Sequence, residues 1–324
     1  MTPDELSAAL PAVLEPELGP VETLDLQAVT GGASRTTWAF AAQTAAGVRR
    51  LILRMGPADE QHSGMALEAA AISRAAAAGT PVPAIVVADE SASALGDPYL
   101  ICDYVPGESL APRILRAVDA TGGRELLRQC AAAVAAIHRS DPAGLDLAVM
   151  DPLADWYPQL EAMGVRNATF EWVHRWLAAR RPDATPEVLV HGDFRMGNVI
   201  IDTGVPRLTA VLDWELVHRG DRYEDLAWFC IRAWRFGRPR SQGAGGLGSV
   251  EDFVADYEEA AGVTIDRDVL RWWIVQSTLR WGIICCYQAH RHLSGRERSV
   301  ELAAIGRRAA ETEHDLLTLI EEAS

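Results

Sequence analysis

A short polar segment between two apolar runs carries the residues best suited to catalysis. It spans residues 191–198, reads HGDFRMGN, and places the Asp193 carboxylate five residues before the Asn198 carboxamide. A second carboxylate, Asp213, follows fifteen residues later, after the apolar pair Val211-Leu212. This spacing is typical of phosphoryl transfer, in which one carboxylate orients an acceptor hydroxyl and takes its proton. Amide and carboxylate oxygens are also the ligands that Mg²⁺ prefers when it binds a triphosphate.

The run HGDFRMGNVI followed by LDWE resembles the aminoglycoside phosphotransferase family, whose fold is like that of the eukaryotic protein kinases. The resemblance extends over residues 22–290. It implies that Asp193 is the catalytic base and that Asn198 and Asp213 hold Mg²⁺. It also implies that His191 braces the loop, because the position of the base is already filled. A metal-dependent hydrolase using His191, Asp193 and Asp213 as ligands is an alternative, but no second histidine lies beside them.

A glycine-rich run between two predicted strands is a candidate phosphate-binding loop. It spans residues 30–35 and includes Gly31, Gly32 and Ser34. Small residues let backbone N–H groups approach phosphate oxygens, and the Ser34 hydroxyl adds a donor. The run resembles the loop that covers the phosphates in this family. An ordinary hairpin turn is the alternative.

The chain contains no lysine, since all thirty basic residues are arginine. This excludes Schiff-base lysine chemistry and any Walker A loop. Kinase-like folds present a strand lysine to the nucleotide phosphates and pair it with a helix glutamate. At the matching places this chain has Arg54, in the strand LILR, and Glu68. We infer that Arg54 replaces the lysine and pairs with Glu68; a nucleotide-binding homologue without catalysis and a surface cation at residue 54 are the alternatives.

Residues 100–105 match the segment that joins the two lobes of such folds. There, backbone groups of Asp103, Tyr104 and Val105 are expected to hydrogen-bond the base of a nucleotide. Backbone groups are the same in every residue, so this segment does not distinguish ATP from GTP.

The acceptor pocket is expected beyond Asp213. Glu215 and Asp221 would form an acidic wall suited to a polyamine sugar, whereas Trp228 and Trp281 would suit a less polar substrate. Caps and solvated faces are the alternative for the acidic residues. The LILR strand and the Gly-Thr-Pro-Val-Pro run resemble the branch related to the kinase domains attached to acyl-CoA dehydrogenases, which implies hydroxylated acyl compounds or other metabolic alcohols. Asp225 is expected to anchor the catalytic loop.

Composition narrows the class of protein. The 324 residues carry a net charge of −15, which argues against nucleic acid as a partner. The five cysteines are odd in number and form no CxxC pair, so neither a disulfide framework nor a zinc site is expected, and a cytoplasmic location fits. The acidic N-terminus is unlike a signal peptide, and residues 269–289 predict a buried helix with charged interruptions, so no membrane segment is expected.

The pattern of helices and strands around these residues predicts an α+β, protein-kinase-like fold of two lobes. Residues 1–105 are expected to form a nucleotide-binding lobe around an antiparallel sheet, with a helix from Met65 to Ala78 capped by Ser63 and closed by Gly79. Residues 106–324 are expected to form a helical lobe, interrupted by short strands at 188–190, 198–202 and 208–212. A cleft between the lobes is the default place for ligands.

The run Gly243–Gly248 matches G-x-G-x-x-G, but no apolar strand precedes it, so a dinucleotide site is not expected. A flexible loop or substrate lid is expected there instead, followed by a helix capped by Ser249 and Asp252. The sequence as a whole predicts a phosphotransferase that uses ATP or GTP and Mg²⁺ to phosphorylate a hydroxyl group of a small molecule. Its oligomeric state and acceptor are left open.

Overall fold

A computed structural model describes residues 1–29, 35–56 and 63–323. Its N-terminal part contains a five-stranded antiparallel sheet with strand order β1-β2-β3-β5-β4. The strands are β1 (Glu22–Val29), β2 (Thr36–Thr44), β3 (Gly47–Met55), β4 (Ile85–Asp89) and β5 (Tyr99–Asp103). The predicted antiparallel sheet is confirmed, and Gly47 (φ +125°) closes the tight turn between β2 and β3.

Two helices cover this sheet: α1 (Pro3–Leu18) and α2 (Met65–Ala77). Helix α1 begins at a capping box, in which the Thr2 hydroxyl accepts from the Glu5 N–H and the Glu5 carboxylate accepts from the Thr2 N–H. Helix α1 is not among the elements predicted from the sequence. Its leucines lie against one face of the sheet and form a separate core with Phe40, Leu51 and Leu53.

Helix α2 differs from its prediction at the first turn. Gly64, not Ser63, is its N-cap residue, and no side chain caps it. The Ser63 hydroxyl instead donates to the Val217 carbonyl at 3.2 Å, which joins this end of α2 to the helical lobe. The expected glycine at the other end is confirmed, since Gly79 has φ +99° just beyond the last turn.

The rest of the described chain is mainly helical. Its helices are α3 (Ala111–Ala117), α4 (Ala120–Arg139), α5 (Pro158–Ala162), α6 (Ala168–Ala179), α7 (Tyr223–Cys230), α8 (Val250–Ala261), α9 (Arg267–Leu293), α10 (Val300–Gly306) and α11 (Ala309–Glu322). The apolar face of α4 is buried, and the expected helix at 269–289 lies within α9. Within the described ranges, no helix is both long and apolar enough to cross a bilayer.

Two short strand pairs carry the candidate catalytic segment. They join β6 (Val188–Val190) to β9 (His218–Gly220) and β7 (Val199–Asp202) to β8 (Arg207–Val211), both antiparallel. A 3-10 turn at Met196–Asn198 leads into β7. The predicted β insertion in the helical lobe is therefore confirmed. It holds the polar loop 191–198 between two pairs of hydrogen-bonded strands.

The second face of the sheet belongs to the same hydrophobic core as the helical lobe. Met65 and Ile72 of α2 and Leu100 of β5 are in one buried cluster with Phe194 and Trp214. The sheet ends at Asp103, close to the predicted lobe boundary at residue 105. That boundary stays a prediction, because apolar packing continues across it.

The glycine-rich run 243–248 is packed rather than loose. Residues 243–247 are buried, and a Cβ on Gly245 would collide with the Phe229 ring. The predicted flexible loop or lid is therefore wrong at this place, since burial against α7 fixes the segment. The predicted capping pair is confirmed: the Ser249 hydroxyl accepts from the Asp252 N–H at 3.0 Å and begins α8.

Candidate active site

The loop after β6 is held by one buried carboxylate from α7. Asp225 accepts the backbone N–H of His191 at 2.8 Å and that of Gly192 at 3.0 Å, one on each carboxylate oxygen. Burial alone would raise the pKa of Asp225, but its hydrogen bonds with the His138 side chain and the His191 backbone N–H lower that pKa. Gly192 has φ +81°, and an added Cβ would lie 2.5 Å from the Leu216 carbonyl oxygen. The expected anchoring role of Asp225 is confirmed.

His191 braces the loop, as predicted. Its Nε2 donates to the Leu212 carbonyl at 3.0 Å, and its Nδ1 accepts the Asp193 N–H at 3.2 Å. Complete burial lowers the pKa of His191, so the ring is neutral at neutral pH. Both ring nitrogens are therefore used to hold backbone groups, and neither faces a substrate.

The carboxylate of Asp193 is oriented by three side chains. Trp228 Nε1 donates to its Oδ1 at 2.7 Å, and Asn198 Nδ2 donates to its Oδ2 at 2.6 Å. Arg195 Nε lies 3.1 Å from both oxygens. These donors fix the carboxylate in one direction, a requirement for a group that must align an acceptor hydroxyl.

The two predicted metal ligands lie just outside the paired strands β7 and β8, because Asn198 precedes β7 and Asp213 follows β8. The Leu212 N–H donates to the Asn198 carbonyl at 2.8 Å, which places Asp213 one residue beyond that bond. Both side-chain hydrogen bonds of Asn198 use its nitrogen, so its amide oxygen is the atom left for a cation. One amide oxygen and one carboxylate fit Mg²⁺ bound to a triphosphate, since phosphate oxygens and water complete its octahedron. Asp213 also has φ +68°, a strained conformation typical of functional sites.

Arg54 joins both lobes through ion pairs. Its Nη1 lies 2.8 Å from Glu68 Oε2, which confirms the predicted pair. Its Nη2 lies 3.2 Å from Asp213 Oδ1 and 3.6 Å from Glu215 Oε2. The guanidinium therefore connects β3, α2 and the segment after β8. That this arginine serves a nucleotide as the usual lysine does stays a prediction.

A second arginine, Arg35, completes this ion-pair network and was missed by the sequence analysis. Its Nη2 lies 3.2 Å from Glu68 Oε1, and its Nε lies 3.7 Å from Glu215 Oε2. The same Nη2 donates to the Ser63 carbonyl at 2.6 Å, and the Ser63 N–H donates to the Glu215 carbonyl at 2.7 Å. Its position at the end of the glycine-rich run was visible in the sequence, but its partners are distant along the chain.

The network holds three carboxylates against two guanidinium groups, so it has an excess of negative charge. Burial and the neighbouring carboxylates Glu215 and Asp213 raise the pKa of Glu68 to about 7, although both arginines oppose this. For Arg54, burial lowers the pKa, but the carboxylates around it raise that pKa overall. A ligand that brings further positive charge, such as a metal ion, would balance this excess.

The predicted nucleotide-binding backbone is only partly described. Gly31, Gly32 and Ser34 lie outside the described residues. At the end of β5, the N–H groups of Asp103 and Tyr104 already donate to Ala84 and Arg50. The Asp103 side chain pairs with Arg49 at 2.6 Å. Within the described ranges, the N–H of Val105 has no acceptor, so it is the group of these three that remains for a base.

The four predicted acceptor residues do not gather in one place. Glu215 belongs to the ion-pair network with Arg54, and Asp221 accepts the Tyr223 N–H at 3.0 Å at the start of α7. Both carboxylates are thus engaged within the protein, and an acidic acceptor wall formed by them stays a prediction. Trp228 contacts Asp193, and its ring centroid lies 6.4 Å from that of Trp281; that the two rings line an acceptor pocket stays a prediction.

A tryptophan cluster next to Asp193, formed by Trp228, Trp234 and Trp281, is covered by the protein's own arginines. Arg195 lies 4.7 Å from the Trp234 ring centroid, Arg280 4.5 Å from that of Trp228, and Arg308 5.4 Å from that of Trp281. These contacts are cation–π interactions.

Arg280 also pairs with Glu224 at 2.7 Å and donates to the Gly192 carbonyl at 2.8 Å. The sequence analysis missed Arg195 and Arg280. The signal that could have found them is the absence of lysine, which leaves every cationic role to arginine.

Comparison with known proteins gives a family and a fold. The model of the phosphotransferase enzyme family (APH) matches residues 25–273. Acyl-CoA dehydrogenase family member 10 of Mus musculus is 28% identical over 200 residues, which are 56% of this chain and 18% of that protein. The chain thus spans a small part of the length of this relative.

Solved structures share the fold along almost the whole chain. A Ralstonia eutropha protein described as an aminoglycoside phosphotransferase superposes with a TM-score of 0.77 at 21% identity, over 97% of this chain and 98% of that one. Spectinomycin phosphotransferase, crystallised with ADP and spectinomycin, gives a TM-score of 0.66 at 13% identity, over 96% and 98%. These likenesses establish the kinase-like fold. Because the family model matches well over half of the residues, this chain belongs to the phosphotransferase enzyme family.

Proposed function

We propose that the protein is a cytoplasmic kinase that transfers the γ-phosphoryl group of ATP or GTP to a hydroxyl group of a small molecule, with Mg²⁺ as cofactor. The observation that carries the proposal is the convergence of Asp193, Asn198 and Asp213. Asn198 donates to Asp193 through its side chain and accepts from the residue before Asp213 through its backbone. Asn198, itself a candidate metal ligand, thereby links the candidate base to the segment that carries Asp213. Five free cysteines are consistent with a reducing compartment.

Asp193 is the group that handles the acceptor. The acceptor hydroxyl donates its proton to the Asp193 carboxylate as its oxygen bonds to the γ-phosphorus and the bond to the β-phosphate oxygen breaks. Because Trp228 and Asn198 hold the carboxylate, little reorganisation is needed during the step. Arg195, at 3.1 Å from both carboxylate oxygens, is placed to meet the charge of the transferring group.

Asn198 and Asp213 would hold Mg²⁺, which neutralises charge on the triphosphate when bound. Arg54 is the candidate phosphate contact from the sheet. Since Arg54 now pairs with Asp213, it would exchange part of that contact for phosphate oxygens, to which a guanidinium binds in bidentate fashion. The ADP complex of spectinomycin phosphotransferase supports a nucleotide as ligand of this fold.

Thermal unfolding with and without Mg-ATP or Mg-GTP tests the nucleotide site. A ligand at one hundred times its Kd stabilises the native state by about 2.7 kcal/mol. For a chain of this size, that predicts a rise in Tm of a few degrees. Asp213→Ala should reduce the rise. The matched control Asp202→Ala, at the exposed end of β7, should leave it unchanged. No rise with either nucleotide at millimolar concentration would overturn the proposed site.

Transfer itself is tested by following the γ-phosphate of labelled nucleotide across a panel of small alcohols, acids and amino sugars. A phosphorylated product that requires Asp193 supports the proposal. Nucleotide binding without a product from any acceptor would support the second candidate, a nucleotide-binding homologue without catalysis. The observation that favours this candidate is the pairing of Arg54 with Asp213, which occupies a metal ligand.

A further inference from the structure

A basic cavity opens beside the tryptophan cluster. Its volume is about 600 Å³, within the range of small-molecule sites. Its charged lining consists of Arg232, Arg235, Arg238, Arg240, Arg308 and Glu311. The cavity is built by the chain after α7 and by the junction of α10 and α11. Neither the family match nor the proposed phosphoryl transfer accounts for five arginines here.

The net charge of this arginine cavity is opposite in sign to that of the whole chain. Arg232 pairs with Asp315 at 2.5 Å, and Arg240 pairs with Glu322. Arg308 lies 3.3 Å from Glu311. Five guanidinium groups therefore meet three carboxylates, which leaves a local excess of two positive charges in a chain of net charge −15. A local field of this sign in an acidic protein attracts anions and repels cations.

Arg235 is the least compensated of the five. Among the described residues, no carboxylate forms an ion pair with it, and its buried Nε has no hydrogen-bond partner. Burial lowers the pKa of Arg235, and the nearby charges of Arg232 and Arg240 lower it further, against the attraction of Asp315. Since a guanidinium stays protonated in proteins, this donor keeps its need for an acceptor. A buried donor without an acceptor is costly, and an anionic ligand would satisfy it.

We propose that the arginine cavity binds a phosphate or carboxylate group of a small molecule. The planar guanidinium fork matches both groups in bidentate geometry, and the cavity holds more than a single inorganic ion. The same anionic group could belong to the acceptor or to a separate effector. For the acceptor the inference rests on the proposed function.

The position of the cavity favours the acceptor. Ala233 and Arg235 of its lining flank Trp234, whose ring lies under Arg195, and Arg195 contacts Asp193. An acceptor whose anionic end occupies the cavity would thus extend past Trp234 toward the candidate base. The aromatic faces that could bind a substrate cation are already covered by Arg195, Arg280 and Arg308. Both observations point away from a polycationic acceptor.

Binding is tested on the full chain without nucleotide, with inorganic phosphate and citrate as probes at constant ionic strength. Intrinsic tryptophan fluorescence and Tm report the result, since Trp234 and Trp281 adjoin the cavity. Arg235→Gln and Arg308→Gln should each weaken binding at least tenfold, and Arg235→Lys should weaken it less. Arg175→Gln, which removes an exposed arginine on α6, should leave the Kd unchanged. Circular dichroism confirms that each variant is folded.

Two results would overturn the proposal. One is the absence of binding of phosphate or citrate at any concentration up to about 20 mM, well above a weak Kd of about 1 mM. The other is binding that Arg54→Gln weakens and Arg235→Gln does not, which would place the probe in the ion-pair network. Neither readout uses catalysis, so failure here is distinct from failure of the proposed phosphoryl transfer.

The source of the anion is assigned by pairs of alcohols that differ only in a phosphate or carboxylate group. If the acceptor carries the anion, Arg235→Gln raises KM for the charged member of a pair and leaves the neutral member unchanged. If a separate effector carries it, added phosphate or citrate changes transfer to the neutral member, and Arg235→Gln removes that change. Both results support an anion site in this cavity and differ only in its occupant.

Discussion

The indole N–H of Trp228 donates to Oδ1 of Asp193 at 2.7 Å, across 35 positions of sequence. Trp228 lies one turn after Asp225 on α7, and Asp225 holds the backbone at the start of the same loop. One helix therefore fixes both the path of the loop and the direction of its carboxylate. This relationship makes α7 the main support of the candidate base.

Replacing the candidate base should remove transfer and spare nucleotide binding. Asp193→Asn keeps the size of the side chain but cannot take a proton, so we expect kcat to fall by about 10²- to 10⁴-fold. The rise in Tm with Mg-ATP should persist. Asp202→Asn is the matched control, because Asp202 is paired with Arg207 at the surface. An Asp193→Asn variant with normal kcat would refute the assignment.

Removing the indole donor should slow the reaction without changing nucleotide affinity. Trp228→Phe keeps an aromatic ring but loses a hydrogen bond to a charged group, worth about 1.5–3 kcal/mol. We expect kcat to fall roughly tenfold or more at unchanged KM for ATP. Trp272→Phe loses a comparable bond, to the Leu177 carbonyl at 3.0 Å, far from the loop. Equal kinetic effects in the two variants would contradict a specific role for Trp228.

The anchor of the loop should affect both stability and rate. Asp225→Asn replaces one of the two carboxylate oxygens with an N–H₂ group, which then faces a backbone N–H donor. We therefore expect the free energy of unfolding to fall by about 2–4 kcal/mol. kcat should also fall, while the shift of Tm with Mg-ATP remains. Asp256→Asn breaks the ion pair with Arg124 between α8 and α4, and it should cost stability alone. Urea unfolding and steady-state kinetics together separate the two effects.

The buried carboxyl of Glu68 should make stability fall as pH rises. Its pKa is about 7 in the folded protein and near 4.5 in the unfolded chain. The unfolded state therefore loses its proton first, and this contribution is full below pH 4.5 and is lost as pH rises through 7. Glu68→Gln should remove that part of the decline between pH 5 and 8. Urea unfolding at several pH values measures the slope; identical slopes in both proteins would show that Glu68 does not titrate in this range.

Much of the site was predictable because short-range spacing determines it. The loop between β6 and β7 follows from the polar run 191–198 between apolar strands, and the Arg54–Glu68 pair follows from a strand cation and a helix carboxylate at matching places. These features depend on the order of residues along the chain. These motifs carry the resemblance to the phosphotransferase family, and that resemblance indicated the kinase-like fold and the candidate base, metal ligands and cation.

The remaining features depend on the directions in which side chains point in the fold, which the spacing of residues along the chain does not reveal. Glu215 and Trp228 both follow Asp213, yet one side chain reaches Arg54 and the other reaches Asp193. The charge of Arg280 was interpreted as an interruption in an apolar helix, whereas it is buried against Glu224. Helix α1 was overlooked because it contains Pro11 and Pro16, although Thr2 and Glu5 form a capping box that the sequence displays.

The attachment of Ser63 to the backbone of Glu215 and Val217 has a consequence for regulation. These bonds join the first turn of α2 to the segment that follows Asp213, at 2.7 and 3.2 Å. Outward rotation of α2 would separate Glu68 from Arg54 and so switch the protein off. In this protein that rotation would also break both hydrogen bonds and the buried ion pairs beside them. The fold is thus committed to one arrangement of this helix. These contacts therefore oppose any displacement of α2 that would separate Glu68 from Arg54.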